Sequence, residues 1–168
     1  MNSPGPAGDP GEGLAGGQGE AVMVLRRAVA GDLDRLVELD DLVLGTEAWP
    51  VEVWRANLAD PAQHYWVTLV GGVVAGSAGI ALRPSWAGIM SLAVDPAVRG
   101  HGFGRRLMER LMADAAEAGS KRVELMVQAG SVPAMTLYRS LGFAEKGLVR
   151  GYYRASGQDG IAMLAELA

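Results

Sequence analysis

Apolar residues recur at regular spacings from residue 22 onward, and these spacings predict the first part of a fold. Val22 to Ala28 has the short apolar run of a strand. From Leu33 to Leu44, apolar residues return every three or four positions, which predicts a helix that Asp32 caps. A second helix is expected to begin near Pro50, because proline is favoured in the first turn, and to run to about Leu58.

Three strands are predicted next. Tyr65 to Val70 and Val73 to Leu82 enclose Gly71-Gly72, a pair that supplies the backbone angles of a tight hairpin turn. Gly88 to Val94 is the following strand. The chain is therefore predicted to place one strand and two helices before a block of three strands.

Helices and strands then alternate. Phe103 to Ala118 predicts a long amphipathic helix, with apolar side chains spaced along one face. Val123 to Val127 is a strand, and Ser131 is expected to cap a helix that Gly142 ends.

The last two strands are predicted at Phe143 to Val149 and Ile161 to Leu167, joined by a polar loop through Gly157 and Gly160. The complete order is β-αα-βββ-α-β-α-ββ. This order predicts an α/β fold (α+β mixed sheet), with helices on both faces of the sheet.

Residues 1 to 20 differ in composition from the rest of the chain. They are rich in glycine and proline and contain almost no apolar residues. Such a segment buries too little apolar surface to offset the entropy lost on ordering. We predict a disordered tail over residues 1 to 20 and one domain over residues 21 to 168.

Composition narrows the class of protein. The chain has 168 residues, of which 49% are apolar and 20% charged, as in a soluble globular domain. Its net charge of −4 argues against a nucleic-acid binder. The absence of cysteine excludes thiolate chemistry, and two histidines are too few for a typical zinc site, so no metal is expected. Without a bilayer-spanning run or a signal peptide, we expect a cytoplasmic protein with no membrane partner.

The segment Leu92 to Arg106, LAVDPAVRGHGFGRR, is the strongest candidate for a ligand site. It is predicted to contain a strand end, a turn at Asp95-Pro96, a glycine-rich loop and a helix start. Glycine allows close backbone approach, so N–H groups at the helix start can converge on an anion. The loop lacks the third glycine of a dinucleotide fingerprint and the G-K-S or G-K-T of a P-loop. The remaining pattern, R-x-x-G-x-G at Arg99, Gly102 and Gly104, indicates a pyrophosphate cradle.

That spacing resembles the acetyl-coenzyme A loop of the GNAT family of N-acetyltransferases. The predicted element order is similar to the family's fold, and LYRSLGF at Leu137 to Phe143 resembles its second signature. Three further segments resemble the RimI-like branch, the ribosomal-protein alanine N-acetyltransferases. They are EAWP (Glu47 to Pro50), SLAVDP (Ser91 to Pro96) and VRGYY (Val149 to Tyr153).

The resemblance implies acetyl-CoA as cosubstrate. Its pyrophosphate is expected against the N–H groups of the loop, and its pantetheine arm beside the strand edge, where an N–H near Val94 would polarise the thioester. The guanidinium groups of Arg105 and Arg106 either contact phosphate or face solvent. Ser131 either contacts the cofactor arm or only caps its helix. The predicted cofactor-binding residues are Leu92, Ala93, Val94, Arg99, Gly100, His101, Gly102, Phe103, Gly104, Arg105 and Ser131.

The resemblance also implies catalytic roles. Tyr138 is expected to give a proton to the departing thiolate, although its spacing alone also suits a core aromatic residue. RimI-like enzymes carry a glutamate on the preceding strand, and Met126 stands at that position. Glu124 lies on the same strand face two residues away, because strand side chains alternate. It could act as the base directly or through water, or simply face solvent.

The acceptor amine is expected between the loop at Gly45 to Trp54 and the final hairpin, where relatives bind peptides. Glu47 is a possible partner for an amine, or an exposed loop charge. Trp49, Tyr152 and Tyr153 complete the predicted acceptor residues, although tryptophans such as Trp49 are more often packing residues.

Three functions are compatible with these observations. The first is acetyl transfer from acetyl-CoA to a primary amine at a protein or peptide N-terminus. The second is acetylation of a small-molecule amine. The third is a non-catalytic acyl-CoA-binding module, which Met126 suggests and Tyr138 opposes.

Overall fold

Seven strands and four α-helices make up residues 23–168, the part of the chain that the computed structural model describes. The predicted tail over residues 1 to 20 lies outside the described residues. The strands are β1 Val24–Arg27, β2 Gln63–Val70, β3 Val73–Leu82, β4 Trp86–Val94, β5 Arg122–Gln128, β6 Ala144–Tyr153 and β7 Gln158–Glu166. The helices are α1 Leu33–Leu44, α2 Val51–Ala59, α3 Phe103–Glu117 and α4 Val132–Ser140. The predicted element order and the α/β class are confirmed.

The strands form one mixed sheet in the order β1-β2-β3-β4-β5-β7-β6. β4 and β5 run parallel, and the other neighbouring pairs run antiparallel. The predicted hairpin between β2 and β3 is confirmed, since Gly71 and Gly72 adopt φ angles of 58° and 80° in its turn. These positive angles explain why glycine occupies both turn positions.

Helices cover both faces of the sheet, as predicted. On one face, α3 and α4 bury Leu107, Leu111 and Leu137 against the strands. On the other face, α1 and α2 bury a second cluster that includes Leu36 and Trp54. Across residues 23–168, no helix is both long and apolar enough to cross a membrane.

Two predicted helix caps are wrong. α1 begins directly after Asp32, yet the Asp32 carboxylate makes no capping hydrogen bond. A 3-10 turn over Ala30–Asp32 directs it back toward β1, where it accepts the Val29 N–H at 2.8 Å and pairs with Arg26. Ser131 occupies the N-cap position of α4, but its hydroxyl makes no capping bond either. Its ψ of 73° departs from the extended conformation that side-chain capping requires.

The last two strands are longer than predicted, and the loop that joins them is shorter, since residues 154–157 alone form the turn. The strand predicted to end at Val149 continues to Tyr153. The prediction ended it too early because β6 is a mostly exposed edge strand, and no apolar alternation marks where such a strand ends. The register shifts between Val149 and Tyr153, where Gly151 has a φ of 63° and donates its N–H to Asp159 at 2.8 Å. β6 therefore stays beside β7 across this irregularity, although the ladder is interrupted between Val149 and Tyr153.

Candidate active site

β4 and β5 separate along most of their length. Their pairing ends at Gly88 and Glu124, close to the start of both strands. Beyond that point β4 keeps only β3 as a neighbour, while β5 pairs with β7 as far as Gln128. The unpaired part of β4, residues 89–94, spans about 20 Å at the usual rise of a strand. We call the opening between the two strands the β4–β5 split.

The β4 side of the split presents backbone groups that no neighbouring strand pairs with, although Val94 O accepts the Arg99 Nε at 3.2 Å. Asp95 donates its N–H to Ala75 of β3 at 2.8 Å. Because backbone groups alternate in direction along a strand, the N–H and C=O groups of Val94 and Leu92 point away from β3 and into the split. Ala93, the third residue predicted at this edge, pairs with Ser77 and directs its backbone toward β3. An extended amide-rich chain can therefore pair with β4 at Leu92 and Val94.

A constrained turn connects β4 to the glycine-rich loop. Asp95 accepts the Ala97 N–H at 2.9 Å, which stabilises a 3-10 turn over Pro96–Val98. The other oxygen of its carboxylate pairs with Arg35 of α1 at 3.0 Å. The two oxygens of the Asp95 carboxylate thus hold the predicted turn in place. The glycine-rich loop begins after this turn, at the end of the split.

The loop leaves N–H groups open at the start of α3. The first intrahelical bond runs from the Arg106 N–H to Gly102 O, so the N–H groups of Phe103, Gly104 and Arg105 precede the helical hydrogen-bond ladder. Gly100 and Gly102 adopt φ angles of 89° and 78°. A Cβ at Gly102 would meet no protein atom within 4 Å, so the space beside this backbone is open. The geometry suits a diphosphate group.

Most charged and aromatic side chains of the loop bond or pack within the protein and do not point toward the open N–H groups. Arg99 donates its Nε to Val94 O at 3.2 Å, and burial lowers the pKa of its guanidinium although Asp95 opposes the shift. Arg105 donates to Ser140 Oγ of α4 at 2.6 Å. Arg106 is exposed, and His101 lies against Phe103 with 6.4 Å between ring centroids.

Tyr138 lies fully buried on α4, in the core cluster that also contains Val94 and Phe103. Its ring meets Phe143 edge-on, with centroids 6.0 Å apart. α4 follows β5 directly, so the helix starts at the open end of the split. The same cluster therefore joins Tyr138, the free edge of β4 and the start of α3.

Glu124 lies at the closed end of the split. It is opposite Gly88 on β4, and its carboxylate accepts from Arg122 Nε at 3.0 Å. Glu124 and Met126 share one strand face, as predicted, and both line a shallow cavity of about 220 Å³ with Lys146. The carboxylate is therefore displaced from the free edge of β4 at Val94.

Met126 lies closer than Glu124 to the predicted acceptor residues. A Cβ on Gly160 of β7 would be 2.7 Å from Met126 Cε and 3.1 Å from Tyr152 Cβ, so the bare glycine leaves room for both side chains. Tyr152 and Tyr153 meet edge-on with centroids 5.0 Å apart. Burial raises the pKa of Tyr152.

The structure brings the two predicted walls of the acceptor site together. Glu47 Oε1 accepts the backbone N–H of Ser156, in the β6–β7 turn, at 2.9 Å. We call residues 45–50, between α1 and α2, the acceptor loop. Trp49 in this loop packs against Trp54 at 5.0 Å and Tyr65 at 6.3 Å between centroids. Trp49 is thus part of a packed aromatic cluster with Trp54 and Tyr65.

Sequence reasoning missed Asp40, a buried carboxylate beneath the acceptor loop. Its Oδ2 accepts the Trp49 N–H at 2.8 Å and the Trp54 indole N–H at 3.1 Å. A signal was present in the sequence, since Asp40 follows Leu36 at helical spacing and so falls on the apolar stripe of α1. A charged residue on such a stripe needs hydrogen-bond partners in the folded protein.

Comparison with known proteins agrees with this geometry. The sequence model of the acetyltransferase (GNAT) family matches residues 33–143. N-alpha-acetyltransferase RimI of Mycobacterium tuberculosis is 39% identical over 137 residues, which are 79% of this chain and 85% of the relative. A putative [ribosomal protein bS18]-alanine N-acetyltransferase of Bacillus subtilis is 29% identical over 133 residues, which are 79% of this chain and 87% of the relative.

A solved structure has the same fold. The ribosomal-protein-S18-alanine N-acetyltransferase of Escherichia coli superposes with a TM-score of 0.80 at 25% identity, covering 88% of this chain and 95% of that one. The chain therefore belongs to the GNAT acetyltransferase family. Within the family it is RimI-like, and it is an acetyl-CoA-dependent N-acetyltransferase.

Proposed function

We propose that this enzyme acetylates the α-amino group of a protein or peptide N-terminus in the cytoplasm. The observation that carries the proposal is the Glu47–Ser156 hydrogen bond, which joins the acceptor loop to the β6–β7 turn beside the β4–β5 split. Two segments held together in this way suit the binding of an extended chain end. The N-alpha-acetyltransferase relative, which is 39% identical, supports the same substrate class.

The free edge of β4 and the loop before α3 hold acetyl-CoA. Pantetheine amides pair with the backbone of Leu92 and Val94, and the Val94 N–H donates to the thioester oxygen. The N–H groups from Gly100 to Arg105 bind the pyrophosphate, with the α3 dipole behind them. His101, Phe103 and Ser131 complete the proposed cofactor path, whereas the backbone of Ala93 faces β3 and its side chain packs under α1. Bound acetyl-CoA supplies an activated acyl carbon, and the chain supplies the donors that orient it.

Tyr138 is the proton donor for the thiolate. It lies in the core cluster that also contains Val94, and we assign its hydroxyl to the sulfur of a thioester bound at that strand edge. A tyrosine hydroxyl is protonated at neutral pH, as this role requires. Removing a positioned acid of this kind typically lowers the rate by about 10²–10⁴-fold.

Water carries the proton away from the acceptor amine. An ammonium group has no lone pair, so the amine must lose its proton before it attacks. Met126 cannot accept that proton, and the Glu124 carboxylate lies at the closed end of the split beside Arg122. A chain of water molecules that ends at Glu124 would carry the proton past Met126 to this distant carboxylate. Glu47, Trp49, Tyr152 and Tyr153 form the walls that orient the amine.

The test is a panel of acceptors assayed for acetyl-CoA consumption. It contains peptides with free N-termini, the same peptides with blocked N-termini, and small amines such as polyamines and amino sugars. We expect turnover only with the free peptides. Turnover confined to small amines would show that the acceptor is a small molecule and not a peptide. Binding of acetyl-CoA without any turnover would indicate a non-catalytic module.

A further inference from the structure

Asp40 is a buried carboxylate that none of the proposed catalytic or cofactor contacts uses. It lies in α1 with 1% of its surface exposed. Its Oδ2 accepts two hydrogen bonds, and its Oδ1 has no hydrogen-bond partner within residues 23–168. Burying a charge is costly unless it is hydrogen-bonded. The two N–H donors are therefore the groups that hold this carboxylate in place.

The two donors belong to the acceptor loop and to the helix that follows it. The Trp49 N–H fixes the loop backbone near its end, and the Trp54 indole N–H fixes the rotation of α2. The Trp54 ring also packs on Tyr65 of β2, with 5.4 Å between centroids. One oxygen atom thus ties α1, the loop and α2 together.

We propose that Asp40 is a positioning residue for the acceptor. Its carboxylate holds the acceptor loop where Glu47 reaches the Ser156 N–H, so it sets the affinity for the amine and leaves acetyl-CoA binding unaffected. The inference rests on the proposed function, because it assigns this loop to the acceptor site. The proposed cofactor contacts lie on β4 and at the start of α3, whereas the hydrogen bonds of Asp40 go to Trp49 and Trp54.

The charged form of Asp40 is the one that holds the loop, because an ionised carboxylate accepts hydrogen bonds more strongly than a neutral one. The titratable groups near it are Asp41 on its own helix and Tyr65 of β2, whose hydroxyl donates to Gln63, while α2 presents the Trp54 indole. Burial raises the pKa of Asp40 to about 6, against the effect of its two hydrogen bonds. Acceptor affinity should therefore fall as the pH drops through that value.

The same shift has a consequence for stability. The folded pKa of about 6 lies above the ordinary value of 3.8, so folding favours the protonated carboxyl. Ionisation of Asp40 therefore lowers the free energy of unfolding as the pH rises from the ordinary value to the folded one. The ionised carboxylate that holds the loop therefore lowers the free energy of unfolding.

Asp40→Asn tests the proposal, since it keeps the shape and removes the charge. Asp32→Asn is the matched control, because Asp32 is also a buried carboxylate beside α1 but bonds to Arg26 and Val29. With a peptide acceptor from the panel, we expect Asp40→Asn to raise the acceptor KM about tenfold, the cost of replacing a charged hydrogen-bond acceptor by a neutral one. The kcat and the acetyl-CoA Kd from calorimetry should stay near wild type. Asp32→Asn should lower the Tm and leave the acceptor KM unchanged.

A structural measurement gives a readout that does not depend on turnover. In wild type, the indole N–H resonance of Trp54 should move with pH around the pKa of Asp40, and Asp40→Asn should abolish that movement. The Trp66 indole, which donates to Asp114 at 2.7 Å, should be unaffected by the substitution. If Asp40→Asn does not fold, Trp54→Phe removes one donor, keeps an aromatic ring, and should raise the acceptor KM by a smaller factor.

The outcomes separate the two claims. A folded Asp40→Asn enzyme with wild-type acceptor KM overturns the inference and leaves the proposed function standing. A Trp54 resonance that titrates identically in Asp40→Asn overturns it as well. Absence of turnover with every amine overturns the proposed function and this inference together.

Discussion

Glu47 accepts a hydrogen bond from the backbone N–H of Ser156, 109 positions later in the chain, at 2.9 Å. The contact joins the loop between α1 and α2 to the turn between β6 and β7. No strand pairing holds these two segments to each other. This bond therefore links the two segments that we assign to the acceptor site.

Replacing Glu47 by alanine should weaken acceptor binding. The Ser156 N–H loses its acceptor and the two walls become free to separate, so the acceptor KM should rise by about fivefold or more, a typical cost for such a bond. The acetyl-CoA Kd should not change. Glu52→Ala removes an exposed carboxylate from α2 and serves as the control. Equal KM values for the two variants would contradict the role assigned to Glu47.

Gly102→Ala should weaken acetyl-CoA binding. Gly102 has a φ of 78°, and Gly119, at the other end of α3, has a φ of 82°. A Cβ at either position would meet open space, so alanine brings the same backbone strain to both, about 1 kcal/mol. We expect similar losses in Tm for Gly102→Ala and Gly119→Ala. Calorimetry should show weaker acetyl-CoA binding for Gly102→Ala only, and equal affinities would argue against the pyrophosphate cradle.

Tyr138→Phe should lower kcat with little effect on folding. The ring keeps its contact with Phe143, and only the proposed proton donor is lost. We expect a decrease of about 10²–10⁴-fold in kcat under conditions where chemistry limits the rate. Glu124→Gln provides the comparison, and it should cost less because Glu124 receives the amine proton only through intervening water and does not touch the amine. A Tyr138→Phe enzyme with wild-type kcat would remove tyrosine from the mechanism.

Asp114 should make stability depend on pH without affecting catalysis. It accepts from His64, Trp66 and Arg110, and although burial acts to raise its pKa, these hydrogen bonds lower it below 3.8. A lowered pKa means that the carboxylate contributes stability above 3.8 and loses it as the pH falls through the folded value. Asp114→Asn should therefore reduce the free energy of unfolding by about 1–3 kcal/mol at neutral pH.

In acid that difference between wild type and Asp114→Asn should shrink, because the wild-type carboxyl is then protonated too. Denaturant titrations at both pH values measure it. The kcat should stay unchanged, since Asp114 lies in the C-terminal half of α3, away from the cofactor loop. A stability difference independent of pH would contradict the ionic character of the contact.

Local signals made most of the fold predictable. The hairpin at Gly71-Gly72 and the left-handed Gly102 need backbone angles that glycine adopts most readily. The glycines themselves therefore indicate both turns in the sequence. Helical spacing likewise identified the buried faces of α1 and α3. β6 was predicted too short because an exposed edge strand carries no apolar alternation.

Long-range contacts in the candidate site were beyond sequence reasoning. Asp40 binds donors 9 and 14 positions away, and Glu47 binds one 109 positions away, so no local period reveals either contact. The end of β4–β5 pairing at Gly88 depends on the packing of the whole sheet. The bonds of the Arg99 side chain to Val94 and of the Arg105 side chain to Ser140 likewise join residues whose approach no local pattern reveals.

The position of the transferred acetyl group tests the central claim most directly. A peptide with a free N-terminus and an internal lysine is incubated with the enzyme and acetyl-CoA, and the product is sequenced by mass spectrometry. We predict one acetyl group, on the α-amine, and none when Tyr138→Phe is assayed for the same short time. Acetylation of the lysine, or of small amines with no modification of the peptide, would contradict an N-terminal acetyltransferase.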